Sequence, residues 1–145
     1  MTTVRQILQT KGTDVWTVTP DMTTFAAIKL LADMNIGALL VTEGDEVVGI
    51  FSERDYVRRV ALHERLSKST LIREIMTPDV ISVRPDQTVE KCMRLMTDKH
   101  IRHLPVINED GRLEGIISIG DVVKMVISEQ QMIIDHLQDY ITGGG

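Results

Sequence analysis

Two heptapeptides carry the residue types best suited to chemistry: Gly49-Ile50-Phe51-Ser52-Glu53-Arg54-Asp55 and Gly115-Ile116-Ile117-Ser118-Ile119-Gly120-Asp121. In each, a glycine sits in an apolar, strand-like run and leaves room for a ligand to approach the backbone closely. The serine then opens a helix, whose free N–H groups and dipole favour an anion. The aspartate three residues on can accept hydrogen bonds from both vicinal hydroxyls of a ribose. A local reading of the same spacing stands beside this one. Ser-x-x-Asp at a helix start is close to a capping box, with the serine on the N3 amide and the aspartate reaching back. Both readings can hold together for the serine, and the occurrence of the whole motif twice favours binding.

Other chemistry finds little support. His63, His100, His103 and His136 are scattered, with no His-Glu-x-x-His pattern and no Cys/His cluster, so no metal site is expected. There is no Gly-x-x-x-x-Gly-Lys-Ser/Thr loop and no Gly-x-Gly-x-x-Gly turn. Ser52 and Ser118 lack an evident adjacent base, so acyl transfer is not indicated. Cys92 is the single cysteine, falls at an apolar helix position and reads as core. The chemistry-bearing residues are therefore binding groups, and neither catalysis nor a catalytic cofactor is expected. A net charge of −5 repels a phosphate backbone and argues against nucleic acid as a partner. No apolar run approaches the roughly 18–20 residues that cross a bilayer. Residues 1–12 lack the apolar stretch and cleavage site of a secretory signal, and a cytoplasmic setting is expected.

The elements that must position these motifs are themselves duplicated. A shift of 65 residues lays Val15-Trp16-Thr17-Val18-Thr19-Pro20-Asp21 on Val80-Ile81-Ser82-Val83-Arg84-Pro85-Asp86, and Asn35 to Val41 on His100 to Val106. The lead-ins agree as well, Val4 to Leu8 with Ile72 to Met76. Each copy predicts a short strand (Val15–Val18, Val80–Val83) that stops at Pro20 or Pro85. A helix follows, with candidate N-cap oxygens on Asp21, Thr23, Asp86 and Thr88. Its apolar stripe is Thr24, Ala27, Ile28 and Leu31 in one copy, and Val89, Cys92, Met93 and Met96 in the other. A hairpin comes next, Ala38–Thr42 with Val47–Phe51 and His103–Ile107 with Leu113–Ile117, turning at Gly44 and Gly111. A second helix follows Ser52 or Ser118; the last one should run on through Gln131 to Tyr140, ahead of a flexible Gly143-Gly144-Gly145.

The chain thus divides into a first repeat (1–62), a polar connector (63–70), a second repeat (71–129) and a C-terminal helix extension with a tail (130–145). The fold class is α/β, two β-α-β-β-α units. Three-stranded sheets of this size cannot bury an inner face alone, so the units should pack about a pseudo-twofold axis with clefts between them. With 43% apolar but only 3% aromatic residues, the core must be aliphatic.

This arrangement, with its lead-in ending in Ile75-Met76 and its Leu104-Pro105-Val106 strand, resembles the CBS domain, named after cystathionine β-synthase. The resemblance covers most of the chain and lies in the duplicated pattern. It implies a stand-alone tandem pair binding an adenosyl compound such as AMP, ADP, ATP, NAD(H) or S-adenosylmethionine. The ribose anchors it implies are Asp55 and Asp121, with Ser52 and Ser118 beside them; threonine is frequent in the family at the serine positions. The adenine walls it implies are Val15, Thr17, Val18, Ile36, Ala38 and Ile50, and their counterparts Val80, Ser82, Val83, Ile101 and Ile116. Phosphates of a nucleotide on one repeat's aspartate reach basic residues of the other repeat in similar modules, which implies Arg54, Arg102 and His103 around Asp55. Asp121 would have only Gly120, Gly37 and Ala38, and should bind more weakly or prefer a less anionic group. Lys11, Arg58 and Lys124 read as mostly solvated.

The function expected is a non-catalytic regulatory sensor acting on a separate, unidentified protein. The alternative is an assembly module whose clefts are empty or purely structural. A homodimer is expected, with Val126, Met132 and Ile133 on the final helix suiting its interface, although the same stripe could be core.

Overall fold

The computed structural model describes residues 2–142; the glycines expected as a flexible tail lie outside the described residues. Along the chain run α1 (Val4–Lys11), β1 (Thr17–Val18), α2 (Thr24–Met34), β2 (Ala38–Glu43), β3 (Glu46–Ser52), α3 (Glu53–Asp55), α4 (Ile72–Ile75), α5 (Val89–Lys99), β4 (His103–Ile107), β5 (Leu113–Ser118) and α6 (Ile119–Thr142). The helix begun by α3 continues with π-helical bonding over Tyr56–Ala61. The fold class is mixed α/β.

The chain forms two compact bodies. The first-copy body holds Asp14–Ser82 together with Gly111–Leu113. The second-copy body holds the residues up to Thr13, Val83–Asp110, and those from Glu114 on. Bodies and sequence copies therefore divide the chain differently, because the lead-in helices change sides. The first lead-in, α1, belongs to the second-copy body: Thr3 bridges Thr88, and the Val4 amide donates to the Gln87 carbonyl at 2.8 Å. The second lead-in, α4, belongs to the first-copy body: Leu71 bridges Thr23, and the Ile72 amide donates to the Met22 carbonyl at 2.9 Å. The two helices start alike, the side chains of Gln6 and Glu74 accepting from the amides of Thr3 and Leu71.

In the first-copy body the sheet order is β1-β2-β3. Strand β1 pairs parallel to β2 (Thr17 opposite Leu40), and β2 antiparallel to β3 (Ala38 opposite Ser52). Helix α2 is capped by Thr23, whose hydroxyl accepts from the Ala26 amide at 3.2 Å, and ends at Asn35 in the left-handed region. Val18, Ala27, Leu31, Leu39, Val41, Phe51, Val60, Ile72 and Ile75 form the core, aliphatic but for one ring.

In the second-copy body Thr88 caps α5, accepting from the Lys91 amide at 3.2 Å, and His100 ends it in the left-handed region. Val4, Ile7, Leu8, Val89, Cys92, Met96, Leu104, Val106, Ile117 and Val122 are buried there. Both caps come from the threonines; Asp21 instead pairs with Arg73.

Three expectations need correction. The strand expected at Val15–Val18 is only Thr17–Val18, and the one at Val80–Val83 shrinks to a bridge between Val83 and Val106. Pro105 supplies the reason. Its copy-one counterpart Leu40 donates its amide to the Trp16 carbonyl at 3.4 Å, whereas Pro105 has no N–H to give at that rung. The second sheet is therefore two-stranded, β4 with β5. Finally, Met93 is 44% exposed rather than packed with the rest of its stripe. Met132 and Ile133, expected as interface positions, are 70% and 59% exposed. The distal stripe of α6 is surface, not core.

Candidate functional site

Each Ser-x-x-Asp motif sits where a strand turns into a helix. In the first-copy body β3 ends at Ser52, whose extended backbone (φ −128°) caps α3. The Asp55 amide donates to Ser52 Oγ at 3.3 Å, and the Ser52 amide donates back to Asp55 Oδ2 at 2.8 Å. In the second-copy body the Asp121 amide donates to Ser118 Oγ at 3.2 Å and the Ser118 amide to Asp121 Oδ2 at 2.8 Å. The capping box is thus formed in both copies. It occupies Oδ2 in each and fixes the direction in which the carboxylate leaves the helix.

The motif glycines serve a different purpose from the one expected. A Cβ on Gly49 would lie 2.6 Å from Met76 Sδ, and one on Gly115 would lie 2.7 Å from Leu8 Cδ2. The room each glycine leaves is filled by the lead-in helix of its own body, not held open for a ligand. Met76 and Leu8 occupy matching places in the two lead-ins.

The C-terminal end of each lead-in reaches the acid. In the first-copy body Thr77 pairs with Ile50 through two backbone hydrogen bonds of 3.0 and 2.9 Å, and its hydroxyl donates to Asp55 Oδ1 at 3.3 Å. Arg59 ties down the same turn by donating to the carbonyls of Ile75 and Met76 at 3.2 and 3.0 Å. In the second-copy body the corresponding place is taken by Lys11, the last residue of α1. Its Nζ donates to the Ile116 carbonyl at 2.8 Å and to Asp121 Oδ2 at 2.7 Å. Asp121 therefore does not stand with Gly120, Gly37 and Ala38 alone, as expected from the sequence; it has a cation of its own. Sequence reading misses Thr77 and sets Lys11 aside as solvated, because the lead-ins align 68 residues apart and the rest 65 or 66, so neither falls in a motif.

Electrostatics follow this geometry. Burial alone would raise the Asp121 pKa, but hydrogen bonds from Lys11 and from the Ser118 amide outweigh it and hold the carboxyl below its usual value. His103 is pushed below the ordinary imidazole range by burial first, and then by the positive charges of Lys11 and Arg102, against the pull of Asp121. His103 thus belongs to the electrostatic surroundings of Asp121 in its own body.

Of the other candidates, Arg54 is half-buried and Arg102 is exposed, with its carbonyl accepting from the Ile119 amide at 2.8 Å. Among the adenine-wall positions, Val18, Ala38 and Val83 are core side chains. Val15, Ile36, Ile50, Val80, Ile101 and Ile116 are partly exposed, and Thr17 and Ser82 are exposed. Among the described residues no three His, Cys, Asp or Glu side chains converge as a metal site would require, and no helix is long and apolar enough to cross a membrane.

The sequence model of the CBS domain matches residues 4–62 and again 72–128. The chain belongs to the CBS-domain family. Among curated proteins this CBS pair is similar to the CBS domain-containing protein CBSX3, mitochondrial, of Arabidopsis thaliana, 40% identical over 99% of this chain and 73% of the relative. Among solved structures it is similar to a protein with CBS domains from Burkholderia ambifaria MC40-6, at 52% identity and a TM-score of 0.86, covering 89% of this chain and 96% of the other. It is also similar to CBSX2 solved in complex with AMP, at 27% identity and a TM-score of 0.73, covering 90% and 99% of the two chains.

Proposed function

We propose that this CBS pair is a non-catalytic regulatory sensor that takes an adenosyl nucleotide of the AMP, ADP, ATP or NAD(H) class through the carboxylates of Asp55 and Asp121. The observation that carries the reading is the state of Asp55. Its cap is satisfied through Oδ2, while Oδ1, among the described residues, accepts from the hydroxyl of Thr77, a neutral partner that a ribose diol can replace. A carboxylate aimed by its own helix start and left with an exchangeable partner is pre-organised for a diol. Ser52 and Ser118 hold the two acids in that direction. The partly exposed residues among Val15, Ile36, Ile50, Val80, Ile101 and Ile116 supply apolar surface for adenine, and Arg54, Arg102 and His103 supply phosphate donors. The solved complex of the similar CBSX2 with AMP agrees in ligand class.

As a sensor, the protein shifts between conformations by the ligand's differential affinity for them and passes that shift to a separate protein. The reading keeps the cytoplasmic setting expected from the sequence; the name of the Arabidopsis relative places that protein in mitochondria.

Thermal stability across AMP, ATP, NADH and S-adenosylmethionine tests the proposal. A ligand at one hundred times its Kd adds about 2.7 kcal/mol to the folded state. Asp55→Asn, which keeps a cap acceptor but loses the charge, should weaken that gain. A flat response to all four compounds would refute sensing and leave the assembly reading. The exposed stripe of α6 is the observation that favours assembly as a second role, through a homodimer.

A further inference from the structure

A cation closes one of the two acids and a neutral hydroxyl borders the other. Ile116 and Ile50 are equivalent positions, as are Asp121 and Asp55. Beside Ile50 and Asp55 stands Thr77, and beside Ile116 and Asp121 stands Lys11. The Lys11–Asp121 pair is short, at 2.7 Å, with side chains only 31% and 17% exposed. Lys11 Nζ and the Ser118 amide both donate to Asp121 Oδ2, so this carboxylate is engaged by a charge as well as by its cap.

We propose that Lys11 is a latch that makes Asp121 selective for phosphorylated ribosides over neutral ones. The inference rests on the nucleotide reading above and adds a specificity to it. A neutral riboside that bridges both Asp121 oxygens displaces Lys11 from Oδ2 and leaves a partly exposed ammonium group on the Ile116 carbonyl without its counter-ion, an unfavourable state. A ligand that brings a phosphate supplies a replacement anion, and the ammonium group exchanges carboxylate for phosphate. Asp55 has no such penalty, because displacing the Thr77 hydroxyl strands no charge. The latch can move: Lys11 is the last residue of α1, its side chain is unbranched, and Gly12 follows in the left-handed region at φ 98°. The two sites therefore differ in the opposite sense from the one that Gly120 suggests in the sequence, Asp121 being the acid that demands an anionic ligand.

The test measures binding of adenosine and of AMP by calorimetry to an Asp55→Asn protein, with and without Lys11→Met. Removing the ammonium group should tighten adenosine by up to about fivefold, the upper range for a partly exposed ion pair, and weaken AMP. The preference for AMP over adenosine should collapse, while Lys11→Arg should keep it. An unchanged preference in Lys11→Met overturns the latch. A second measurement does not depend on that variant folding. Adenosine binding to Asp55→Asn should tighten near 1 M salt, where the screening length falls to about 3 Å, more than adenosine binding to Asp121→Asn does. Equal salt responses also overturn the latch. If Asp121→Asn binds AMP through Asp55 but Lys11→Met changes nothing, the latch alone fails. If neither Asp55→Asn nor Asp121→Asn binds AMP or adenosine, the nucleotide reading fails and the latch with it.

Discussion

Met76 lies so close to Gly49 that a methyl group on the glycine would come within 2.6 Å of the Met76 sulfur and 3.1 Å of the Thr77 carbonyl oxygen. The contact joins α4 to the centre of β3, three residues before Ser52. Its counterpart, Leu8 against Gly115, joins α1 to β5, but there the three nearest atoms all belong to the flexible leucine side chain. Gly49→Ala should therefore cost about 1–3 kcal/mol, because backbone as well as side chain must give way, and Gly115→Ala distinctly less. Urea unfolding midpoints of the two variants check the order.

Acid should weaken the fold through His103. Its pKa is held below the ordinary value by burial and by Lys11 and Arg102, so the folded state refuses a proton that the unfolded chain accepts below about pH 6.5. Stability that is complete above that pH is lost as pH falls toward the folded value. Asp121, shifted down from a lower starting point, loses its contribution only in stronger acid. Unfolding midpoints measured in steps from about pH 7.5 to 5 should decline in the wild type and decline less in His103→Asn. Equal slopes would exclude His103 as the source.

Cys92 should be nearly inert while the protein is folded. It is buried, and burial raises its thiol pKa to about 11, so only about one thiol in a thousand is ionised at pH 8. Labelling with a disulfide reagent should be slow in buffer and jump in denaturant, at a rate that tracks opening of the second-copy body. Fast labelling of the native protein would contradict this burial.

The distal part of α6 offers a direct check on the proposed homodimer. Ile127, Ile133, Ile134, Leu137, Tyr140 and Ile141 are all exposed along it, at spacings that make one stripe. Glu129, Asp135 and Asp139 lie off that stripe, so a second copy could pack on it without like-charge repulsion. Ile134→Glu with Leu137→Lys should lower the mass measured by light scattering to that of one chain and leave the circular dichroism little changed. A mass that does not fall would move the interface elsewhere.

Much of this architecture was legible in the residues. The 65-residue repeat set the order of the elements. Polar residues before α2 and α5, among them Thr23 and Thr88, marked the starts of those helices, because a hydroxyl can take an otherwise orphaned N–H. Glycine in each turn marked the hairpins, and both hairpins formed within a residue or two of their expected ends. Ser-x-x-Asp could be read as a cap, since its bonds span only three residues, and it formed in both copies. The repeat predicts a strand before Pro85 that does not form, because Pro105 is a strand residue with no N–H to offer its neighbour.

Other features could not be read this way. The amphipathic pattern of α1 says that one face is buried but not against which copy, and the chain set it beside Thr88 rather than Thr23. That choice carries Lys11 to Asp121, and the matching choice for α4 carries Thr77 to Asp55. Local bonding is determined by residue type and spacing, so the sequence by itself specified the helices, the hairpins and the paired acids at the helix starts. Which surfaces meet depends on contacts across more than one hundred residues in the case of Lys11 and Asp121. The tertiary structure alone decided that one acid faces a hydroxyl and the other a charge.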